Sequence, residues 1–258
     1  MRPRANDIVR AGGRFAMIPR FFISSPLAAG REIALPSAAA HHAARVLRLK
    51  RGDAVTLFDG QGGEYGAEIR SATNRAVDAV VLEHRAVERE SPLHVTLVQA
   101  LIATERMDYA IQKAVELGVS AITPVASARG VSRLEGERAR RRTEHWRAIA
   151  IAACEQCGRN RVPELHAPVE LGAWLRQPSS AEQRLALLPS AEEALAGVAP
   201  GRKLDVLVGP EGGFAPDEAL AVAAAGFRAV RLGPRILRAE TAGPAMLAGL
   251  NALWGDWR

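Results

Sequence analysis

The sequence predicts an α/β chain of two parts, a small β-rich domain followed by a larger domain with a mostly parallel sheet and helices on both faces. Three observations support this. Residues 20–88 carry short strand patterns separated by tight turns. A charged stretch with a proline, "ERESPLH", follows at residues 88–94. Strand and helix patterns then alternate over residues 89–258, as they do in parallel α/β sheets.

The N-terminal part reads as a small barrel. In "EYGAEIR" the apolar residues Tyr65, Ala67 and Ile69 alternate with polar or small ones, the period of a half-buried strand. "AVTLFDGQGGEY" predicts a hairpin, and "AVDAVVLEHRAV" predicts a further strand. A short helix is expected over "SAAAHHAARVLR", with Ser37 as its N-cap. Residues 1–19 are basic and lack the apolar stretch of a secretion signal, so we expect a flexible extension.

The C-terminal part alternates strands with helices. The expected strands are "HVTLVQALI", "SAITPV", "RLALLP", "KLDVLV" and "RAVRLG". Helices are expected over "ERMDYAIQKAVEL", which ends at Gly118, over "GERARRRTEHWRAIAIAACEQC", over "APDEALAVAAA" and over "AGPAMLAGLNALW". This alternation predicts a parallel sheet whose strands are buried on both faces.

The charge balance favours a polyanionic partner. The formal net charge is +6, and arginine supplies all but three of the 34 basic residues. Guanidinium groups suit phosphate backbones, although a well-solvated basic surface gives the same composition. The sequence contains no run of 18 apolar residues, so no membrane span is predicted. Its two cysteines cannot form a disulfide framework, and we therefore expect a cytoplasmic protein.

Two glycine-rich loops follow predicted strands, "LVGPEGGF" at residues 207–214 and "LGPRILRAETAG" at residues 232–243. Ligands of open parallel sheets bind at the carboxyl ends of the strands, where both loops lie. Neither loop matches the phosphate-binding GxxxxGK[ST] or GxGxxG patterns, which disfavours a nucleotide-dependent oxidoreductase. Ile236 and Leu237 can sandwich a flat base. The loops therefore favour an adenosine-containing ligand without a phosphate chain.

Other polar groups are less specific. Cys154 and Cys157 form a single CxxC with no second pair, so packing is favoured over metal or redox chemistry, and no metal is expected. The following "GRNR" places several hydrogen-bond donors just after the end of the predicted helix, where they could hold RNA or a base. The segment "RVLRLKRGD" presents a basic face suited to phosphate contacts, formed by Arg45, Arg48 and Lys50.

Four separated motifs, in this order, carry a family resemblance. They are "IQKAVELGVSAITPV", "CEQCGRNRVPE", "VGPEGGF" and "LGPRILRAETA". Together they resemble the RsmE-type 16S ribosomal RNA uridine-N3 methyltransferases of the SPOUT superfamily. "RFF" and "HHAARVLRLKRGDAVTLFDGQGGEY" are similar to that family's N-terminal PUA-like RNA-binding domain. The resemblance covers roughly residues 20–255.

The resemblance implies a fold, a cofactor and partners. It implies a PUA-like barrel over residues 20–88 and a trefoil-knotted SPOUT domain over residues 89–258, working as a homodimer. It also implies S-adenosylmethionine as cofactor and 16S ribosomal RNA of the small subunit as substrate. The cofactor-binding residues would be Leu188, Pro189, Gly209, Pro210, Glu211, Gly212, Leu232, Gly233, Ile236, Leu237, Arg238 and Thr241. Thr241 can instead cap the last helix, and Glu211 can instead bond backbone amides within its own turn.

The transferred residues also suggest a division of roles. Arg238 is the candidate for stabilising the uracil anion, and Glu240 is a candidate base that can equally pair with an arginine. The candidate RNA contacts are Arg20, Arg45, Arg48, Lys50, Gln156, Arg159, Asn160 and Arg161. Two alternatives remain: a SPOUT methyltransferase acting on another RNA or on a ribose hydroxyl, and a non-catalytic RNA-binding assembly factor.

Overall fold

The computed structural model describes residues 8–11, 14–73, 75–131 and 134–257. Its contacts divide the chain into two compact units. The first comprises the chain up to Glu90 together with Cys154–Val162, and the second comprises Ser91–Ala153 and Pro163–Arg258. The domain boundary expected near residue 88 lies close to Glu90, where the chain first leaves the first unit. The grouping of Cys154–Val162 with the first unit was not expected from the sequence.

The first unit is built on a five-stranded sheet. Its strands are β3 (Arg20–Phe22), β4 (Glu32–Ala34), β5 (Ala54–Phe58), β6 (Glu64–Ala72) and β7 (Val77–Arg85), in the order β3-β5-β6-β7-β4. β3 and β5 are parallel, and the other pairs are antiparallel. Within the expected extension, β1 (Ile8–Ala11) and β2 (Arg14–Met17) form an antiparallel pair. Residues 1–7, 12 and 13 of that extension lie outside the described residues.

The core of this unit follows the alternation in its strands. Ala67 and Ile69 of β6 are buried with Phe21 and Val81, and Tyr65 packs against the same cluster. The helix α1 (Ser37–His41) continues as a π-helical turn, His42–Val46. Pro36 occupies the N-cap position and no side-chain cap forms, so the prediction that Ser37 caps this helix was wrong.

The second unit contains a seven-stranded sheet in which every pair is parallel. Its strands are β8 (His94–Ala100), β9 (Ala121–Ala126), β10 (Glu164–Leu165), β11 (Val169–Glu170), β12 (Gln183–Leu187), β13 (Lys203–Val208) and β14 (Arg228–Val230). The order is β10-β9-β8-β13-β12-β14, and β11 also pairs with β9. The order juxtaposes strands that are distant in sequence. The trefoil knot implied by the resemblance stays a prediction.

Helices cover both faces of this sheet, as expected. They are α2 (Thr104–Glu116), α3 (Gly136–Cys157, of which Gly136–Ala153 belong to this unit), α4 (Leu171–Leu175), α5 (Pro216–Ala224) and α6 (Ala239–Leu253). Val98 and Ala100 of β8 pack in one cluster with residues of α4 and α5. Leu97, which points the other way, lies against Gly243 of α6, where an added Cβ would be 3.2 Å from it. Of the described helices, none combines the length and apolar character needed to cross a bilayer.

Candidate active site

A cavity of about 330 Å³ lies where β12, β13 and β14 end. Because the three strands are parallel, their carboxyl ends share one edge of the sheet, and the following loops meet there. The loops supply residues 187–189, 208–214 and 231–239. The lining residues are Leu187, Leu188, Pro189, Val208, Gly209, Pro210, Glu211, Gly213, Phe214, Arg231, Leu232, Gly233, Arg235, Ile236, Leu237, Arg238, Ala239 and Ala242.

The structure brings together most of the cofactor-binding residues expected from the sequence. The lining includes Leu188, Pro189, Gly209, Pro210, Glu211, Leu232, Gly233, Ile236, Leu237 and Arg238. Gly212, in the turn after β13, and Thr241, in α6, do not line the cavity. The carbonyl of Gly212 accepts a hydrogen bond from Arg129 Nη1 at 3.2 Å. Thr241 is exposed in the first turn of α6, and Arg238 occupies the N-cap position that Thr241 was considered for.

Backbone geometry explains the glycines of these loops. Gly213 and Gly233 have φ values of 67° and 78°, a left-handed conformation that other residues rarely adopt. At Gly209 the constraint is space, since a Cβ there would lie 3.2 Å from the ring of Phe214. The turn after β13 therefore folds back on Phe214 and leaves its backbone exposed to the cavity.

Sequence reasoning missed several lining residues. Leu187 and Val208 are the last residues of neighbouring strands and face each other in the sheet register. Ala239 and Ala242 lie in the first turns of α6. None of the four was named as a site residue from the sequence. For Leu187 and Val208, their position at the ends of predicted parallel strands was the available signal.

Glu211 and Arg238 line the cavity, and Arg106 and Glu240, which do not line it, lie beside them. Arg106, in the first turn of α2, donates from Nη1 to Glu211 Oε1 at 2.9 Å. The same guanidinium approaches Glu240 Oε1 to 4.0 Å through Nε, and Arg238 Nη1 is also 4.0 Å from that oxygen. The other oxygen, Glu240 Oε2, is buried and has no hydrogen-bond donor among the described residues. Glu240 thus has one oxygen beside two cations and one vacant acceptor.

Some of the expected RNA contacts are available on the surface of the first unit. Arg45, Arg48 and Lys50 are exposed in and after the π-helical turn, and Gln156 is also exposed. Arg48 has a φ of 55°, the one positive value among the described residues other than glycine. Such a conformation is uncommon for a long side chain and is often found at functional sites. This segment is a surface that RNA phosphates can reach.

The other expected RNA contacts are used within the fold. Arg20 is buried, donates to Glu64 Oε2 at 2.7 Å and to Asn160 Oδ1 at 2.6 Å, and so is not available to RNA. Asn160 is fully buried and donates to the carbonyl of Val87 at 2.7 Å. Arg159 is buried in an ion pair with Glu90.

Arg161 remains half-exposed but is paired with Glu88 at 2.9 Å. The charged residues 88–90, at the expected domain boundary, therefore contact residues 158–161. Glu88, Arg89 and Glu90 all form ion pairs within the first unit. We accordingly leave Arg20, Arg159 and Asn160 out of the RNA surface.

The surroundings of Cys154 disfavour the thiolate that metal binding or redox chemistry would need. Burial raises the pKa of the Cys154 thiol to about 12, which outweighs the nearby guanidinium of Arg159. A thiol with this pKa is not a nucleophile near neutral pH. In the part of the chain that the structure describes, no group of three His, Cys, Asp or Glu side chains is placed to hold a metal ion.

Family models match both units. An RNA methyltransferase domain matches residues 89–251, and an RNA methyltransferase PUA domain matches residues 35–82. The first match contains the whole cavity, and the second contains Arg45, Arg48 and Lys50.

Relatives extend these matches along nearly the whole chain. A ribosomal RNA small subunit methyltransferase E from Buchnera aphidicola is 33% identical over 93% of this chain and 98% of its own length. An enzyme of the same name from Neisseria gonorrhoeae, solved with bound S-adenosyl methionine, has a TM-score of 0.86 at 37% identity and covers 93% of this chain and 100% of its own. A putative methyltransferase from Legionella pneumophila, solved with the cofactor SAM, has a TM-score of 0.90 at 35% identity, with the same coverage. The chain therefore belongs to the ribosomal RNA small subunit methyltransferase E family.

Proposed function

We propose that this enzyme methylates N3 of a specific uridine in 16S ribosomal RNA of the small subunit, with S-adenosylmethionine as methyl donor. The observation that carries the proposal is the cavity at the carboxyl edge of the sheet, built from main-chain turns and apolar side chains. Its volume of about 330 Å³ is in the range of small-molecule sites.

The donor set of the cavity fits this cofactor. Ile236 and Leu237 offer apolar surface for the adenine, and the turns at Gly209 and Leu232 offer backbone groups for the ribose and base edges. Glu211 supplies a negative charge suited to the cationic end of the ligand. When bound, S-adenosylmethionine supplies an electrophilic methyl group on a sulfonium.

The protein must also prepare the uridine. Its N3 is an imide nitrogen, which has to lose a proton before or while it attacks the methyl carbon. The guanidinium of Arg238 is 77% exposed at the cavity rim and can stabilise the resulting uracil anion. Glu240, two residues further along the chain, does not line the cavity, and its Oε2 has no hydrogen-bond donor among the described residues. It is the candidate base. Alignment of nitrogen and methyl carbon is the remaining requirement.

The decisive experiment replaces Arg238 with alanine. We expect methyl transfer to fall by a factor of about 100 or more, the typical cost of losing one charge-stabilising donor. Folding should be retained because the side chain is largely exposed. The assay uses purified small subunits from a strain that lacks the enzyme, with mass spectrometry of the nucleosides. A matched control is Arg202→Ala. Arg202 is an exposed arginine just before β13, at the amino end of the strand and so away from the cavity.

The same assay tests the alternatives. Methylation at a ribose hydroxyl would refute the N3 assignment. Lack of any methylated nucleoside, together with no heat of binding on titration with S-adenosylmethionine, would indicate a non-catalytic assembly factor. Full activity of Arg238→Ala would remove Arg238 from the mechanism.

RNA binding is assigned to the exposed segment with Arg45, Arg48 and Lys50, and Gln156 and Arg161 remain candidate RNA contacts. We further propose a homodimer that acts in the cytoplasm, where small subunits are assembled. The support for the dimer is the resemblance to the RsmE-type family. Light scattering after gel filtration measures the mass, and a monomer at micromolar concentration would contradict the dimer.

A further inference from the structure

Arg106 connects two loops of the cavity although it does not line the cavity itself. It is the third residue of α2, which begins just beyond the carboxyl end of β8. From there its guanidinium reaches Glu211 at 2.9 Å, in the turn after β13, and Glu240 at 4.0 Å, at the start of α6. No sequence motif singled it out, since the family motif in this helix begins five residues later, at Ile111.

The two arginines near Glu240 differ in how firmly their side chains are held. Its side chain is 12% exposed, so its ionised form needs a compensating cation close by. Arg106 and Arg238 both lie 4.0 Å from Oε1, a distance at which neither forms a hydrogen bond with it. Arg106 is 45% exposed and already held by Glu211, whereas Arg238 is 77% exposed. The less mobile cation is therefore Arg106.

Two cations beside one carboxylate oxygen compete for it. If Arg106 were absent, the buried charge of Glu240 would be balanced by Arg238 alone. Closing a gap of 4.0 Å to a hydrogen bond requires a movement of about 1 Å at the guanidinium. Arg238 would then be drawn into an ion pair and would no longer be available at the cavity rim.

We propose that Arg106 is a positioning residue that neutralises Glu240 and so keeps the guanidinium of Arg238 free to meet the substrate. The proposal rests on the proposed function in one respect, the assignment of Arg238 to the uracil anion. Arg106 itself touches neither reacting atom. The ion pair with Glu211 holds Arg106 in position. The positive charge of Arg106 keeps Arg238 from forming an ion pair with Glu240.

The first test follows Arg238 directly and does not require activity. The Nε–H signal of Arg238 is observed by NMR in ¹⁵N-labelled enzyme, with Arg238→Ala to assign it. In Arg106→Gln we expect this signal to shift and its exchange with water to slow at least threefold, as Arg238 pairs with Glu240. In the double variant Arg106→Gln/Glu240→Gln the signal should return to its wild-type position. An unchanged signal in Arg106→Gln would overturn the proposal.

The second test measures a single turnover of methyl transfer at saturating S-adenosylmethionine. We expect Arg106→Gln to lower the rate at least tenfold while the cofactor Kd changes less than threefold. Arg106→Lys, which keeps the charge, should recover most of the rate and leave the Arg238 signal unchanged. A wild-type rate in Arg106→Gln would also overturn the proposal.

Controls separate this proposal from loss of an ordinary ion pair. Lys113→Gln removes a cation on the same helix that pairs with Glu116 at 2.8 Å, and it should change neither the Arg238 signal nor the rate. The midpoint of thermal unfolding checks that each variant is folded, which is expected because the Arg106–Glu211 pair is half-exposed. If the wild-type enzyme formed no 3-methyluridine, the proposed function would fail while the NMR test still decided the role of Arg106.

Discussion

A single buried carboxylate organises the polar interior of the first unit. Glu64 is 2% exposed, and its Oε2 accepts hydrogen bonds from Arg20 at 2.7 Å and from Arg89 at 2.9 Å. Burial alone would raise the pKa of Glu64, but the hydrogen bonds from Arg89 and Arg20 outweigh it and hold the pKa below its ordinary value. The ionised form is therefore the one that stabilises the fold.

The stability of the protein should fall in acid through this group. Because the folded pKa of Glu64 is lowered, its contribution is complete above the unfolded pKa of about 4.3 and is lost as pH falls through the folded value. Glu64→Gln should cost about 3 kcal/mol at pH 7, since it leaves the buried Arg20 and the partly buried Arg89 without their shared counter-charge. The cost should shrink below about pH 4. Urea unfolding of both proteins between pH 3 and 8 measures it.

The matched control for this prediction is Glu83→Gln. Glu83 pairs with Arg85 at 2.6 Å in the same sheet, but its side chain is 58% exposed. Its removal should cost less than about 1 kcal/mol. A destabilisation by Glu64→Gln that stayed constant from pH 3 to 8 would argue against the assigned ionisation.

Cys154 should be unreactive in the folded protein. Its thiol is buried, and burial raises its pKa to about 12. Iodoacetamide at pH 8 should leave Cys154 unmodified in native protein and alkylate it in urea, as measured by peptide mass spectrometry. Rapid labelling of native Cys154 would show that the end of α3 opens readily.

At the residue scale, sequence patterns placed the loops better than they assigned individual charges. The glycines at 209 and 233 could be recognised because only particular turns need them. The charges of "GRNR" could not be interpreted correctly, because an arginine that binds RNA and one buried beside a glutamate look the same in sequence. Glu90, the partner of Arg159, lies 69 residues away, and no local period connects them.

At the scale of elements, α6 is bound closely to the sheet through a glycine. An added Cβ at Gly243 would be 3.2 Å from Leu97 Cδ1 and 3.3 Å from Gln99 Oε1. Both neighbours are fully buried in β8 and cannot easily move. The first turns of α6, which carry Ala239 and Ala242 of the cavity, depend on this close approach.

Gly243→Ala should therefore destabilise the protein, in spite of the higher helix propensity of alanine. We expect a cost of about 1 to 3 kcal/mol, the usual effect of overfilling a packed core. The control is Gly172→Ala in α4, where the nearest atom is Arg176 Nη1 at an ordinary 3.6 Å. It should be neutral or stabilising by up to about 1 kcal/mol. Urea unfolding compares the two, and equal effects would contradict the packing argument.

Element length decided which elements could be predicted. The long helices α2 and α3 span several turns, and Met107, Ala110 and Trp146 are buried as the 3.6-residue period predicts. β10, β11 and α4 contain two, two and five residues, too few for a period to show. β10 and β11 form because β9 offers them an edge to pair with, which is a property of the assembled sheet.

At the scale of the whole molecule, the net charge of +6 should appear in the salt dependence of RNA binding. Replacing Arg45, Arg48 and Lys50 by glutamine should weaken binding to small-subunit RNA and reduce the slope of log K against log salt by about 2 to 3. The affinity for S-adenosylmethionine should not change. Fluorescence anisotropy at several salt concentrations measures the slope.

An equal change of charge elsewhere provides the control. Glutamine replacements at three other exposed arginines of the first unit should reduce the slope by less than about 1. These are Arg31, Arg70 and Arg75. Similar slopes for the two triple variants would mean that total charge, and not the segment after the π-helical turn, determines RNA binding.

The chain enters the first unit twice, since Cys154–Val162 belongs with the residues up to Glu90. Arg20 and Glu90 therefore leave the ribosome before Asn160 and Arg159 have been synthesised. The 63 intervening residues take roughly 3 to 13 seconds to translate. During that interval Glu90 of the nascent first unit lacks its partner Arg159, and a nonsense codon anywhere in this stretch would release the unit in that incomplete form.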